Sequence, residues 1–346
     1  MRASPQASAG RIRKDDFDAA LVPGFREATR PAYRELWENA DADMSRILDE
    51  HGRFLPVVEK LRDCPCCGSP RDDSRPFLEK AGMHIVTCAR CGLTYSWNVL
   101  DAAYDHRRYV TSAAQPKFEA LKRNEAYAAL ERTKCRYIIQ RLGDVHPRPG
   151  RLFEIGPGAG RLLDAAKEAD WATSGLELNP IFATETRSRG HDITEGAFPQ
   201  DLAPRGRYDA VAMLDVLEHL HHPREALESC RSLLGEGGVV IVQVPNFDSL
   251  LVRVEKARNI NFSHGHWNYF SPVTLRNTAA AAGLQPLAVE TIISEVDRIR
   301  AFPDDEVRSM SLEICGEAPP ARLEAEWMHE RLMGYKLLAF FAKRPS

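Results

Sequence analysis

The chain has 346 residues, room for two domains and a smaller module at roughly 100–200 residues per domain. Lys and Arg number 46 against 49 Asp and Glu, a formal net charge of -3, and 44% of the residues are hydrophobic. Wholesale disorder and collagen-like structure are excluded, and the near balance of charge argues against bulk nucleic acid as the main partner, because such binding rests on phosphate neutralisation. No apolar run approaches the ~18 residues that cross a bilayer. The N-terminus also lacks the apolar stretch of a secretory signal. A cytoplasmic protein with no membrane partner is expected.

Residues 1–30, rich in Ala, Arg and Ser, read as a mobile tail, and 31–60 as a helical segment with Leu36, Ile47 and Leu48 at helical spacing. Five of the eight cysteines then crowd together at Cys64, Cys66, Cys67, Cys88 and Cys91. Two C-x-x-C knuckles, Cys64/Cys67 and Cys88/Cys91, can share one tetrahedral ion and leave no open position. A structural zinc site in a module over 61–100 is therefore expected, in a reducing compartment, with Cys66 a bystander. A long helical pattern from Pro116 to Leu142 lies in a helical linker, 101–150, that Gly143 and the segment 146–150 bring to an end.

From Arg151 short apolar runs alternate with helical stretches, the pattern of a parallel sheet covered by helices. Strands are expected at 151–156, 173–178, 191–195, 208–214, 238–244, 285–292 and 335–343. Helices are expected at 159–169, 180–189, 223–234, 272–282 and 320–332. The run Glu154-Ile155-Gly156-Pro157-Gly158-Ala159-Gly160 follows the first strand and opens a helix, so glycine lets backbone approach a ligand closely. Arg161 stands where a dinucleotide fingerprint needs its last glycine, which disfavours a nicotinamide cofactor. Glu177 ends the second strand, where a carboxylate can accept both hydroxyls of a ribose.

With the block 208–223 (YDAVAMLDVLEHLHHP) and 235–246 (GEGGVVIVQVPN), these residues resemble the class I S-adenosylmethionine-dependent methyltransferases over 151–346. The resemblance implies an α/β fold: a Rossmann-like seven-stranded methyltransferase sheet, here behind an N-terminal helical and zinc-ribbon module. It implies S-adenosylmethionine bound by Glu154, Gly156, Gly158, Gly160 and Glu177, with Phe198 against the adenine and Asp215 beside it. The cysteine module is similar to one preceding certain sugar C-methyltransferases, which points to a small-molecule acceptor in specialised biosynthesis. A zinc ribbon also precedes an rRNA guanine methyltransferase domain. An RNA-base methyltransferase is thus an alternative, as is a non-catalytic scaffold, although the balanced charge of the ribbon does not suggest an RNA grip.

Methyl transfer is an in-line displacement that places the acceptor against the sulfonium methyl and, for a weak nucleophile, removes a proton. His219, with Glu218 beside it, is the expected general base. Asp215, Glu218, His219 and one of His264 or His266 form the alternative of a divalent-cation site, as in metal-dependent O-methyltransferases with a similar block. His221 and His222 read as loop or capping residues. His266 and its neighbours, 264–270, suit the wall of an acceptor pocket. Tyr104, His106 and Tyr109 fall where related enzymes have tyrosines that close over the cofactor, Tyr104 being the one expected to take part in catalysis.

Overall fold

The structure is a computed structural model that describes residues 11–202, 206–263 and 265–344. The tail expected over 1–30 is corrected from residue 11 onward. A short 3-10 turn, Lys14–Phe17, buries Phe17 completely beside Tyr137, ring centroids 5.1 Å apart, and Asp18 accepts the Ser294 N–H at 2.7 Å. One aromatic in a polar run carries no period, so its anchoring role was hidden. Residues 1–10 lie outside the described residues.

Helix α1 (Phe25–Ser45) leads to β1 (Glu59–Leu61), which pairs antiparallel with β5 (Asn98–Leu100). Between them β2 (Ser74–Lys80), β3 (Met83–Cys88) and β4 (Thr94–Ser96) form an antiparallel meander that carries the cysteine knuckles at its ends. Helices α2 (Ala102–Thr111), α3 (Gln115–Arg123) and α4 (Glu125–Val145) follow. The single helix expected from 116 to 142 is broken at Asn124, whose side chain caps α4 by accepting the Tyr127 N–H at 3.2 Å. Nor are residues 101–150 merely a linker: Tyr137, Ile138 and Leu142 of α4 pack into the core of the large sheet.

That sheet takes β6 (Arg151–Ile155), β7 (Ala172–Glu177), β8 (Asp192–Glu195), β9 (Tyr208–Leu214) and β10 (Leu234–Pro245), with α5 (Arg161–Glu168), α6 (Pro180–Ser188) and α7 (Pro223–Leu233) as the crossovers. After β10 come α8 (Leu250–Glu255), β11 (Asn268–Tyr269), α9 (Pro272–Ala281), β12 (Leu284–Ile292), α10 (Val296–Ile299), α11 (Asp304–Cys315), α12 (Ala325–Glu330) and β13 (Lys336–Lys343). The strand order is β12-β13-β10-β9-β6-β7-β8, with β13 antiparallel to both its neighbours and the pairs from β10 to β8 parallel. All seven expected strands are present. Helices α8, α10 and α11 were not anticipated, and the helix expected over 320–332 shrinks to α12.

Alternation along β6 explains the two cores. Leu152 faces the layer of α4 and α5, while Phe153 and Ile155 face the layer of α7 and α9 together with the ribbon. Chain order reverses between β6 and β9, and in a sheet of this kind the crevice at the carboxyl ends of two such strands is where ligands bind. The ribbon is not closed on itself: β11, from the connection after β10, adds to β4 and completes a four-stranded sheet, β11-β4-β3-β2. A boundary at residue 100 therefore cuts through a continuous sheet.

Candidate active site

A cavity of about 840 Å³ opens at that crevice. Its floor is the loop after β6. Gly156, Gly158 and Gly160 all have positive φ, and a Cβ on Gly160 would meet Thr186 Cγ2 at 2.8 Å, so α5 could not seat against α6 with any other residue there. Glu177, at the end of β7, accepts the Gly158 N–H on Oε2 at 2.7 Å and the Asn179 N–H on Oε1 at 2.7 Å. The carboxylate is thereby locked to the loop. Burial pushes its pKa up and the backbone donors pull it back, with a net rise. Each oxygen keeps a lone pair for a further donor, which suits a vicinal diol.

Glu154 is buried and, among the described residues, its Oε2 has no hydrogen-bond partner. Burial, with Glu177 and Asp164 nearby, pushes its pKa up to about 8. An orphaned carboxylate at this depth calls for a cationic or donor group from a ligand. Phe198 also lines the cavity, at 8% exposure. Together these residues fit S-adenosylmethionine: a diol acceptor at Glu177, a glycine-lined passage and an acid for an ammonium group at Glu154.

Asp215 departs from expectation. It sits at φ +55, its Oδ1 accepts from Lys336 Nζ at 2.7 Å and its Oδ2 from Gln243 Nε2 at 3.0 Å. Burial pushes this carboxyl up, but Lys336 and Lys134 outweigh it and hold it well below the usual range. Asp215 is therefore an internal ion-pair partner, and the cation set of Asp215, Glu218 and His219 is corrected. The donors that converge are Glu218, His219 and His266, each with a ligand atom within 4.8 Å of the others. His264 lies outside the described residues.

Among the described residues neither oxygen of the buried Glu218 has a hydrogen bond, Oε1 standing 3.9 Å from His219 Nε2, and burial followed by repulsion from Asp215 pushes its pKa up to about 8. His219 presents Nδ1 to Gly265 O at 2.7 Å and to the Tyr109 hydroxyl at 2.9 Å. A carbonyl can only accept, so Nδ1 carries the proton and Nε2 keeps its lone pair. Burial lowers the His219 pKa, which leaves the ring neutral at pH 7. His266 is held in the same way, Nδ1 against Asn261 O at 3.0 Å, with its pKa well below the ordinary value through burial and its neighbour His219.

Tyr104 does not line the cavity; it packs among the ribbon-side hydrophobics, with Arg107 over its ring. Its expected place at the site is corrected: Tyr109 lines the cavity instead, one helical turn on from Asp105, which accepts from Trp267 Nε1 at 2.9 Å and Arg108 Nη1 at 2.8 Å. The i, i+4 spacing of Asp105 and Tyr109 puts them on one face of α2. Of the 264–270 wall, His266 reaches the cavity while Trp267, Tyr269 and Phe270 are core. His221 stands 3.4 Å from Asp105, and His222 is exposed at the start of α7.

Away from the cavity, Cys64 and Cys91 sulfurs are 3.5 Å apart and Cys67 and Cys88 sulfurs 3.6 Å, all four within 4.8 Å of one another. A tetrahedron with Zn–S bonds of ~2.3 Å has edges of ~3.8 Å, so the four thiols match one ion. Cys66 instead accepts from Thr278 Oγ1 at 3.3 Å, outside the set.

A family model described as "Methyltransferase domain" matches residues 127–289. The chain is 26% identical over 189 residues to a ubiquinone biosynthesis O-methyltransferase of Xanthomonas axonopodis pv. citri, covering 50% of this chain and 77% of that protein. A protein of the same name from Bordetella avium is 26% identical over 172 residues, 46% and 70% of the two chains. Among solved structures, a possible histamine N-methyltransferase of Thermotoga maritima is 19% identical with a TM-score of 0.44, covering 66% of this chain and 98% of its own. The glycine loop tied to Glu177 lies inside the matched domain, on a sheet with the strand order above, and these findings together support a class I S-adenosylmethionine-dependent methyltransferase.

Proposed function

We propose that the chain methylates a hydroxyl group of a small-molecule acceptor in biosynthesis. The observation that carries this is the neutral His219 ring, oriented through Nδ1 so that Nε2 is free beside the buried Glu218 at the end of β9. A hydroxyl is a weak nucleophile and needs a base of this kind. The name of the curated relatives, O-methyltransferase, supports the same choice of atom.

Bound S-adenosylmethionine supplies an electrophilic methyl on its sulfonium. Glu177 would hold the ribose, Glu154 the ammonium group, and Phe198 would lie against the adenine. His219 Nε2 would take the proton of the acceptor hydroxyl, whose oxygen would receive the methyl while the sulfur keeps the electron pair of the sulfur–carbon bond that breaks and leaves as a neutral thioether. Tyr109 and Gly265 O hold the ring in place, and the imidazolium returns its proton to water.

Four thiolates at Cys64, Cys67, Cys88 and Cys91 would hold a structural zinc, and all eight cysteines are free, which suits a cytoplasmic protein. The ribbon sheet has its edge taken by β11, which favours support over RNA docking. A second reading is favoured by the convergence of Glu218, His219 and His266: these three would ligate a divalent cation that binds the acceptor oxygen and lowers its pKa.

Methyl-tritiated S-adenosylmethionine offered with a panel of phenols, sugars and total RNA tests the reading. Label in a hydroxylated small molecule is expected, and label in RNA alone would overturn it. Prolonged chelation, with the ribbon zinc monitored by elemental analysis, separates base from cation.

A further inference from the structure

Arg62 lies two residues before the first cysteine ligand, and its guanidinium reaches across to the opposite side of the site. Nε donates to Ser96 O at 2.9 Å, Nη1 to His221 O at 2.6 Å, and Nη2 to Trp267 O at 2.6 Å and to Asn268 Oδ1 at 3.2 Å. Three of these four acceptors lie in the two segments that carry the candidate chemistry, the turn of Glu218 to His222 and the stretch from Gly265 to Asn268. The segments also bind each other, through Trp267 N–H to Glu218 O at 2.9 Å and Asn268 Nδ2 to Leu220 O at 2.7 Å. Arg62 is the cation inside this junction.

Among the described residues no carboxylate pairs with Arg62. The residue is part-buried, and its guanidinium lies over the Tyr95 ring, 5.6 Å from the centroid. A guanidinium enclosed without a counterion is costly. Four thiolates around a zinc dication would carry two net negative charges two residues along the chain from Arg62, and would supply that counterion. The ribbon grips the same connection at its other end: Lys80 Nζ donates to Ala257 O at 2.7 Å, and Phe77 packs edge-on against Phe247 with centroids 5.2 Å apart.

We propose that Arg62 is a positioning residue that couples metal occupancy of the four-cysteine site to the alignment of His219 and His266. The coupling runs through backbone. Gly265 O, which fixes the His219 tautomer, is two residues from Trp267 O, which Arg62 holds; when the ribbon loosens, both carbonyls lose their places. The inference rests on the zinc reading above and adds a purpose to it.

The test uses the full chain as purified, with zinc measured in every sample, and reads three quantities. Amide exchange by mass spectrometry follows peptides covering 216–222 and 265–270. Nitrogen-15 spectra of histidine-labelled protein, assigned with His219→Gln, report the His219 tautomer. Calorimetry gives the affinity for S-adenosylmethionine. In Arg62→Met, exchange in the two segments is expected to rise ~10-fold or more, as local opening allows, and the His219 Nδ1–H tautomer is expected to mix with the Nε2–H form. S-adenosylmethionine affinity should change less than ~3-fold, because Glu177 and the glycine loop make no contact with Arg62. Stripping zinc from the parent should loosen the same peptides and add little in Arg62→Met.

Arg62→Lys keeps the charge but loses the fork, so an intermediate result is expected from it. It also decides the matter should Arg62→Met fail to fold. Parent-like exchange and tautomer in both variants, or in the zinc-stripped parent, would overturn the proposal. So would a uniform rise in exchange accompanied by lost cofactor affinity, the mark of a mere fold prop. Absence of zinc from the fresh parent would sink the zinc reading separately, on elemental analysis alone.

Discussion

Glu177 uses one lone pair of each oxygen on a backbone donor, Gly158 and Asn179, and so meets the cofactor already aligned. Glu177→Ala should weaken S-adenosylmethionine binding by at least ~10-fold, since charge-assisted hydrogen bonds are worth ~1.5–3 kcal/mol each, and calorimetry on the folded variant checks it. Two neighbouring groups give acid limbs at different pH. The His219 pKa is lowered by burial, so the free base is present above that value and is lost as pH falls through it; turnover by a general base should fall on an acid limb whose midpoint lies below 6.5. Glu218 is raised to about 8, so a proton competes with any cation there until the pH passes that value. Cation-dependent turnover should therefore keep rising towards pH 8. A pH profile of kcat with and without chelator separates the two.

At the scale of elements, β6 to β10 were legible because their apolar runs are bounded by turns, and α5 and α6 because Gly160 and Asn179 mark their starts. The acid at Glu177 and the convergence of Glu218 with His219 followed from strand ends alone. What could not be read was the phase of α2: Tyr104 and Tyr109 look alike in sequence, and only the bond from Trp267 to Asp105, 162 positions apart, turns Tyr109 inward. Ion pairs across the sheet, such as Asp215 with Lys336, were hidden for the same reason. The N-terminal arm supplies a direct test. Phe17 is fully buried against α4, whereas Leu21 is 42% exposed. Phe17→Ala should cost ~3–5 kcal/mol by urea unfolding, as for large aromatic truncations in cores, and Leu21→Ala well under half of that.

Across the whole molecule, the cavity is assembled from parts far apart in the chain, and its division of labour follows that assembly. The glycine loop, Glu177, Glu218 and His219 come from within 127–289, the stretch that matches the methyltransferase family. Tyr33, Trp37 and Phe118, which also line the cavity, come from α1 and α3 outside it. Family-wide chemistry belongs to the first set, and a wall that shapes the remaining space is free to select the acceptor. Trp37 is the sharpest probe, being a large aromatic on α1 that lines the cavity and belongs to none of the three buried hydrophobic clusters. Trp37→Ala should leave S-adenosylmethionine affinity within ~2-fold and raise the acceptor KM by ~10-fold or more, since an aromatic wall contact is worth ~1–3 kcal/mol. Steady-state kinetics with the acceptor found in the labelling screen, paired with calorimetry for the cofactor, gives both numbers. A change confined to cofactor affinity would move Trp37 to the other end of the cavity and place acceptor selection within the matched domain.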